Sequence, residues 1–397
     1  MYNWWELPGA QRFLERVRSD VAEGRSVVVA LPSPLADGRW GRRMEEAGII
    51  RRREIVAFAD VRVATQPTDV VARDHLPDGG ASFRGGSVAD LCERVADALR
   101  RAVSEGAPAG GVTVCIEAQA EWPAWPQWCA FLREWAQASR NRPFEERVSF
   151  VVTTAGQPRA SLPADQDSLR VRVWDDVLDD VDLVTFAHLA FASWEGSSLE
   201  RRVAAAVAAS LAQWDPEVIE LLASRSLNDT MSPMGALREM ATARGWHARA
   251  LDGELCWERG QRAGPPKARR VHSAVLAIRG EVASIEGLIW AGQVGVLLPM
   301  IETRRLELVG ELRPLLKLPW RTRFEDVTDA RDLEVAHLCD QVRYVSSRVS
   351  PSVSRILPIM REVRNRLAHM EVVSVSLLKA LLGEAGGSGD SAGYGRN

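Results

Sequence analysis

The sequence predicts a mixed architecture: a parallel α/β sheet domain over residues 1–180, a helical region after it, and a C-terminal helical bundle. Three observations carry this prediction. Short apolar runs alternate with amphipathic stretches in the first part, the pattern of βα units whose strands are buried on both faces. From Asp182 onward, apolar residues recur at helical spacing instead. Residues 260–266 are polar and contain glycine and proline, the best linker signal in the chain. The boundaries that follow are 1–180 for the α/β domain, 181–260 for a helical lid or small winged-helix-like unit, 261–382 for the bundle, and 383–397 for a tail. The tail is rich in Gly, Ser and Asp and is expected to be disordered.

Element by element, a helix is expected over 10–22 and strands over 27–31, 55–61, 112–116, 148–153 and 169–173. Amphipathic helices lie between several of them, at 88–103 and 128–139. Trp122, Trp125 and Trp128 recur every third residue, and Pro123 and Pro126 are read as interrupting a helix there, which makes the segment a packed or partner-facing loop. Within 182–226, Leu199, Val203, Val207, Leu211 and Trp214 share one helical stripe. Residues 234–244 read as a helix and 246–257 as a short hairpin. Beyond the linker, helices are expected over 271–298, 301–316, 329–349 and 352–382, with turns at Pro299, Pro319 and Pro351, which suits a bundle.

Composition narrows the class. At 397 residues, with 46% hydrophobic and 26% charged residues, the chain has globular composition and room for two or three domains. A formal charge of -3 provides no global attraction to nucleic acid, so RNA contact requires a local basic patch. Arg361, Arg364 and Arg366 form one; a second run, Lys267, Arg269, Arg270 and His272, reads as a solvated linker. Cys92, Cys115, Cys129, Cys256 and Cys339 are dispersed without metal or redox spacing, which argues for reduced thiols and no bound metal. The N-terminus lacks the pattern of a signal peptide, and no apolar run approaches the roughly 20 residues of a membrane span. A cytoplasmic protein with no membrane partner is expected.

The most informative segment is Arg364, Asn365, Arg366, Leu367, Ala368, His369. At about 100° per residue, Ile356, Ile359, Met360, Val363, Leu367 and Met370 fall on one apolar stripe, and Arg361, Asn365 and His369 project from the opposite face. Five residues turn a helix through about 140°, so Arg364 and His369 share no face of one ideal helix. The Arg-Asn-x-x-x-His spacing resembles the signature of HEPN domains, helical modules that in many prokaryotic toxins and defence proteins act as metal-independent ribonucleases. In active members two such helices meet across a dimer and make one composite site. The resemblance implies that His369 shuttles the proton of the attacking 2′-hydroxyl, Arg364 stabilises charge on the phosphate, and Asn365 orients them. Either Arg364 reaches round the helix or the partner subunit supplies the arginine. His272 and His337 read as surface or satisfied helix residues.

At the other end, Pro32, Ser33, Pro34, Leu35, Ala36, Asp37 and Gly38 follow the first strand, where a phosphate-binding loop would sit. The lysine such a loop needs is missing, and Pro32 and Pro34 have no N–H to offer a phosphate. The later strand Val114, Cys115, Ile116, Glu117 ends in an acid, and 148–154 follows as a further strand. This order, with the approach through Trp4 to Gly9, resembles a degenerate STAND or AAA+-type P-loop NTPase. The resemblance implies a domain that has lost hydrolysis and acts in regulation or assembly, with Glu117 as its Walker B-like candidate or simply a solvated strand-end carboxylate. No cofactor is expected; nucleotide binding without hydrolysis stays open. Together the resemblances imply a bacterial-type antiviral defence component in which an inactive NTPase-like module governs a ribonuclease acting on RNA as a homodimer. The alternative is a non-catalytic scaffold whose two domains bind partner proteins.

Overall fold

The computed structural model describes residues 3–35, 66–83, 85–106, 112–118, 124–143, 146–247, 255–264, 269–322 and 326–386. The expected strand at 55–61, Trp122, Lys267 and residues 387–397 lie outside them. Contacts divide the chain into a sheet unit, Trp5–Leu178 with Gly253–Val271, and a helical unit, Met1–Trp4, Asp179–Asp252 and His272–Asn397.

The sheet unit runs α1 (Pro8–Ala22), β1 (Ser26–Leu31), α2 (Pro67–His75), α3 (Val88–Ser104), β2 (Val112–Ala118), α4 (Trp125–Ser139), β3 (Val148–Ala155) and β4 (Leu169–Val173). Among the described residues the sheet has four strands, all parallel, in the order β2-β3-β1-β4, with Val27 opposite both Val151 and Arg170. Every residue of β1 and β3 is buried, which is why these strands read as unbroken apolar runs in the sequence. On one face, Val28, Val114, Ile116, Phe150 and Val152 pack against Leu91 and Val95 of α3 and Trp128, Leu132 and Trp135 of α4. A reciprocal cap between Ser87 and Asp90 starts α3.

The tryptophan segment differs from the sequence expectation. Pro126 stands in the first turn of α4, where its missing N–H has no intrahelical role, so it opens a helix instead of breaking one. Trp125 and Trp128 are 2% and 0% exposed and belong to the core; neither faces a partner.

Two short strands, β5 (Arg262–Ala263) and β6 (Arg270–Val271), pair antiparallel in the same unit. Trp257, buried just before β5, donates its indole N–H to the carbonyl of Trp174, the residue after β4, at 2.9 Å.

The helical unit comprises α5 (Asp180–Ala190), α6 (Ser198–Ala212), α7 (Pro216–Ala223), α8 (Leu227–Met231), α9 (Met234–Ala243), α10 (Ser273–Arg279), α11 (Val282–Leu312), a small hairpin of β7 (Trp320–Arg321) and β8 (Asp326–Val327), α12 (Val335–Tyr344), α13 (Pro351–Ala368) and α14 (Val375–Gly386). Alanine-rich α6 packs on α11 at very short range: a Cβ on Gly292 would stand 2.6 Å from the Cα of Val207.

Four helix boundaries correct the sequence reading, the first being the expected helix over 329–349, which is α-helical only over Val335–Tyr344 with single 3-10 turns before and after it. The expected helix over 271–298 divides at Gly280, whose left-handed φ of 73° ends α10. Pro299 does not end α11, which runs through it for 31 residues. Pro299 and Gly295, whose carbonyl loses its partner there, are both exposed, so the lost bond falls on the solvent side of the helix. The expected helix over 352–382 is two helices, because a turn at Met370, with φ 60°, closes α13.

Among the described residues, α11 and the turn after it (Val282–Leu315) are long and apolar enough to cross a membrane by length and composition alone, which the sequence reading did not anticipate. Ile285, Ile289, Val296, Leu297, Ile301 and Leu308 of α11 are buried within the helical unit, while Val282 and Leu306 are exposed.

Candidate functional site

Helix α13 begins at Ser350, whose hydroxyl accepts the Val353 N–H at 3.3 Å, followed by Pro351 in the first turn. Its buried stripe is Val353, Ile356, Leu357, Met360, Val363 and Leu367. Ile359 is only half-buried and Met370, expected on the stripe, is 65% exposed because the helix has ended before it.

The polar face is set against α12. Arg361 stands 3.8 Å from Asp340, and Arg364 pairs with Glu334 at 3.1 Å, just before α12. Both partners of the Arg364 pair are substantially exposed, so the pair is worth ~1 kcal/mol or less and gives way readily to a stronger anion. Asn365 and Arg361 line an open groove of about 380 Å³ with Arg343, Ser346 and Ser354, floored by Val342 and Leu357. Glu362, on the rim, is held by Arg366 at 2.9 Å.

His369 is the C-cap of α13. Its backbone N–H bonds to the carbonyls of Asn365 and Arg366, while its ring is exposed and has no hydrogen-bond partner among the described residues. The groove takes in Asn365 but neither Arg364 nor His369. Within one chain, therefore, Asn365 faces the groove, Arg364 faces Glu334, and His369 stands at the helix end. Their convergence on one phosphate requires either Arg364 to leave Glu334 or a second chain.

His337 accepts the Glu334 N–H at 3.2 Å and serves as a cap for α12. His272 is satisfied too, but it is 1% exposed, at the centre of a buried polar cluster. Its Nδ1 accepts the Ala274 N–H at 3.0 Å, which leaves the proton on Nε2, 2.8 Å from Asp215 Oδ2. Arg244 bonds Asp215 and Glu217, each at 2.5 Å, and Trp214 and Trp246 meet the imidazole edge-on. Burial pushes the Asp215 carboxyl up, but Arg244 and the His272 hydrogen bond outweigh it and hold the carboxyl far below the usual carboxylate range. Burial drives His272 below its ordinary value, against the pull of Asp215, so it is neutral near pH 7. The cluster joins the ends of α7, α9 and α10 around ionised and hydrogen-bonding groups packed against one another. Nothing in the sequence pairs residues 57 apart, so these partners were not legible there.

In the sheet unit, the described part of the loop after β1, residues 32–35, spends its donors on other backbone groups, and residues 36–38 lie outside the described residues. Ser33 gives its N–H to Glu258 at 2.7 Å, Leu35 gives its N–H to Pro32 at 3.0 Å, and Pro32 and Pro34 have none. Gly260, with φ 69°, lies so close to Pro34 that a Cβ would stand 2.9 Å from its Cγ. Ligands of open parallel sheets enter at the carboxyl ends of the strands; residues 256–263 occupy that position beside β1. Glu117 lies in β2 opposite Thr153 of β3.

Among the described residues, no group of three or more His, Cys, Asp or Glu side chains is placed to hold a metal ion. The five cysteines are free thiols, and burial pushes that of Cys129 up to about 11. No family model matches the chain, and no curated protein is significantly similar to it.

Proposed function

We propose that this chain is a component of a bacterial conflict or anti-phage defence system, in which an inactive NTPase-like sheet unit governs a C-terminal, metal-independent HEPN-type ribonuclease. The observation that carries the proposal is His369: an exposed imidazole without a hydrogen-bond partner among the described residues, at the end of a helix that carries Asn365, Arg361, Arg364 and Arg366. In this reading the imidazole takes the proton of a ribose 2′-hydroxyl. The oxygen attacks the adjacent phosphorus, the bond to the 5′-oxygen breaks, and that oxygen leaves with a proton from a second imidazole. The products end in a 2′,3′-cyclic phosphate and a 5′-hydroxyl. Arg364, exchanging Glu334 for phosphate, offsets the charge gathering on the non-bridging oxygens. A second copy of the chain supplies the second imidazole, so the working form is a homodimer acting on RNA.

The filled loop after β1 supports the regulatory half of the proposal. Its N–H groups are spent on Glu258 and Pro32, which leaves a triphosphate no backbone cradle at residues 32–35. This unit acts by docking partner proteins of the system; it hydrolyses no nucleotide.

The test is cleavage of RNA by the purified full chain in EDTA, compared with His369→Ala. Cleavage that is lost in the variant is expected. Cleavage at equal rate by both, or by neither with the system's partners present, refutes the nuclease half. Calorimetric titration with ATP and magnesium tests the other half, with no heat of binding expected.

One observation favours a second reading. The Arg364–Glu334 pair ties the motif's arginine to its own chain, as a binding scaffold without catalysis would allow. A dimer whose two His369 rings stay far apart would decide for the scaffold.

A further inference from the structure

The turn that carries His369 is held from behind by α11. Trp290 donates its indole N–H to the Leu367 carbonyl at 2.8 Å. One turn further along α11, Gln293 donates its Nε2–H to the Val373 carbonyl and accepts the Val373 N–H at Oε1, each at 2.8 Å. Gln293 is 0% exposed. A buried amide is costly unless both its ends are bonded, and an apolar side chain would fill the same space without that cost. Here both ends are spent on one backbone residue, as in a β-ladder pair, with a weaker contact from Nε2 to the Met231 sulfur at 3.5 Å.

Between these anchors the chain makes a tight helix-ending turn: Glu371 N–H reaches the Arg366 carbonyl at 2.8 Å and Met370 N–H the Leu367 carbonyl at 3.2 Å. The residue that must turn left-handed is Met370, at φ 60°, where glycine is the unstrained choice. A strained, side-chain-bearing residue persists where the surroundings over-determine the turn, and such residues gather at working sites. His369 is the residue immediately before it. The exposed imidazole therefore hangs from a backbone fixed at both ends, at Leu367 and at Val373, by two side chains of one helix.

We infer that Trp290 and Gln293 are positioning residues for His369, holding the turn so that the imidazole keeps a single approach to the scissile phosphate; this rests on the ribonuclease reading above. Neither residue reaches the substrate. They fix where the catalytic ring starts from, which governs turnover more than binding.

The test uses the full chain with Gln293→Met, which keeps length and bulk but removes both bonds, Gln293→Glu, and Trp290→Phe. Hydrogen exchange of the amides at 369–373, which involves no RNA, is expected to speed at least tenfold in Gln293→Met and by a smaller factor in Trp290→Phe. In cleavage assays, kcat of Gln293→Met falls at least tenfold while KM stays within about twofold. Gln293→Glu regains activity relative to wild type as the pH falls, because the neutral carboxylic acid again donates to one side of Val373 and accepts from the other. Unchanged exchange overturns the clamp. Faster exchange with unchanged kcat, or a loss borne entirely by KM, overturns the positioning role. Cleavage absent in wild type, or indifferent to His369→Ala, overturns the nuclease reading and the positioning role with it. The exchange result then stands apart and shows that the clamp itself was not what failed.

Discussion

Gly292→Ala is the sharpest test of how the helical unit is packed. The added methyl would stand 2.6 Å from the Cα of Val207 and 2.7 Å from both its N and the carbonyl oxygen of Ala206. Ordinary contacts between such atoms need about 3.5 Å, so α6 and α11 must part by about 1 Å where they cross. All three obstructing atoms are backbone, which cannot rotate away as a side-chain tip could. Overpacking of this kind costs ~3 kcal/mol, the upper part of its usual range, because the strain spreads along both helices. Against it stands the better helix propensity of alanine, ~1 kcal/mol. The net expectation is a loss of about 2 kcal/mol, or a fall in Tm of about 4–8 °C for a unit of this size. The controls lie in the same helix. A Cβ added at Gly287 or Gly295 would meet nothing within 4 Å, so alanine there stabilises by up to ~1 kcal/mol. Thermal unfolding followed by circular dichroism or calorimetry reads all three. If Gly292→Ala is as stable as wild type, or gains as Gly287→Ala does, the close crossing of α6 and α11 is wrong.

Arg244→Met strands Asp215 and costs about 3–5 kcal/mol in urea denaturation. The same cluster makes stability pH-dependent. His272 is depressed in the folded state, so the unfolded chain binds the extra proton and stability declines below about pH 6.5. Asp215, also depressed, adds a steeper loss below about pH 4, and His272→Gln removes the first part only. Met370→Gly relieves the left-handed φ and raises stability by about 1 kcal/mol in the same assay. Gly260→Ala combines a φ of 69° with a contact 2.9 Å from Pro34, and lowers the stability of the sheet unit by at least about 1 kcal/mol, read by calorimetry.

Much of the sheet unit was legible because buried parallel strands write themselves as apolar runs. The strands at 27–31, 112–116, 148–153 and 169–173 all appear, extended by a residue or two at most at their ends except for β4, which coincides. What failed was punctuation. Proline was read as a breaker at 126 and 299; its effect depends on whether the lost bond was needed, which is a matter of helix position and solvent. Gly280 ended a helix because only the left-handed region lets the chain turn there. At the candidate site, the exposure of Asn365 follows from helical periodicity, whereas His369 is exposed at the end of α13, where that periodicity stops and Met370, expected on the buried stripe, is exposed as well. The pairing of Arg364 with Glu334, the groove beside α12 and the anchoring by Trp290 and Gln293 do not follow from periodicity, because each joins residues far apart in the chain.

By itself, the sequence determined the class of this protein: strands where apolar residues run together, helices where they recur on one stripe, and an arginine, an asparagine and a histidine at the end of one helix. Those features are local, written by unbroken apolar runs in the strands and by a period of 3.6 residues in the helices. Tertiary structure alone decided that residues 256–263 fill the place beside β1, that Asp215 and His272 meet in the interior, and that the His369 turn is anchored on α11. Each depends on which distant groups a buried amide or charge finds when water is withdrawn, and no local pattern encodes that choice.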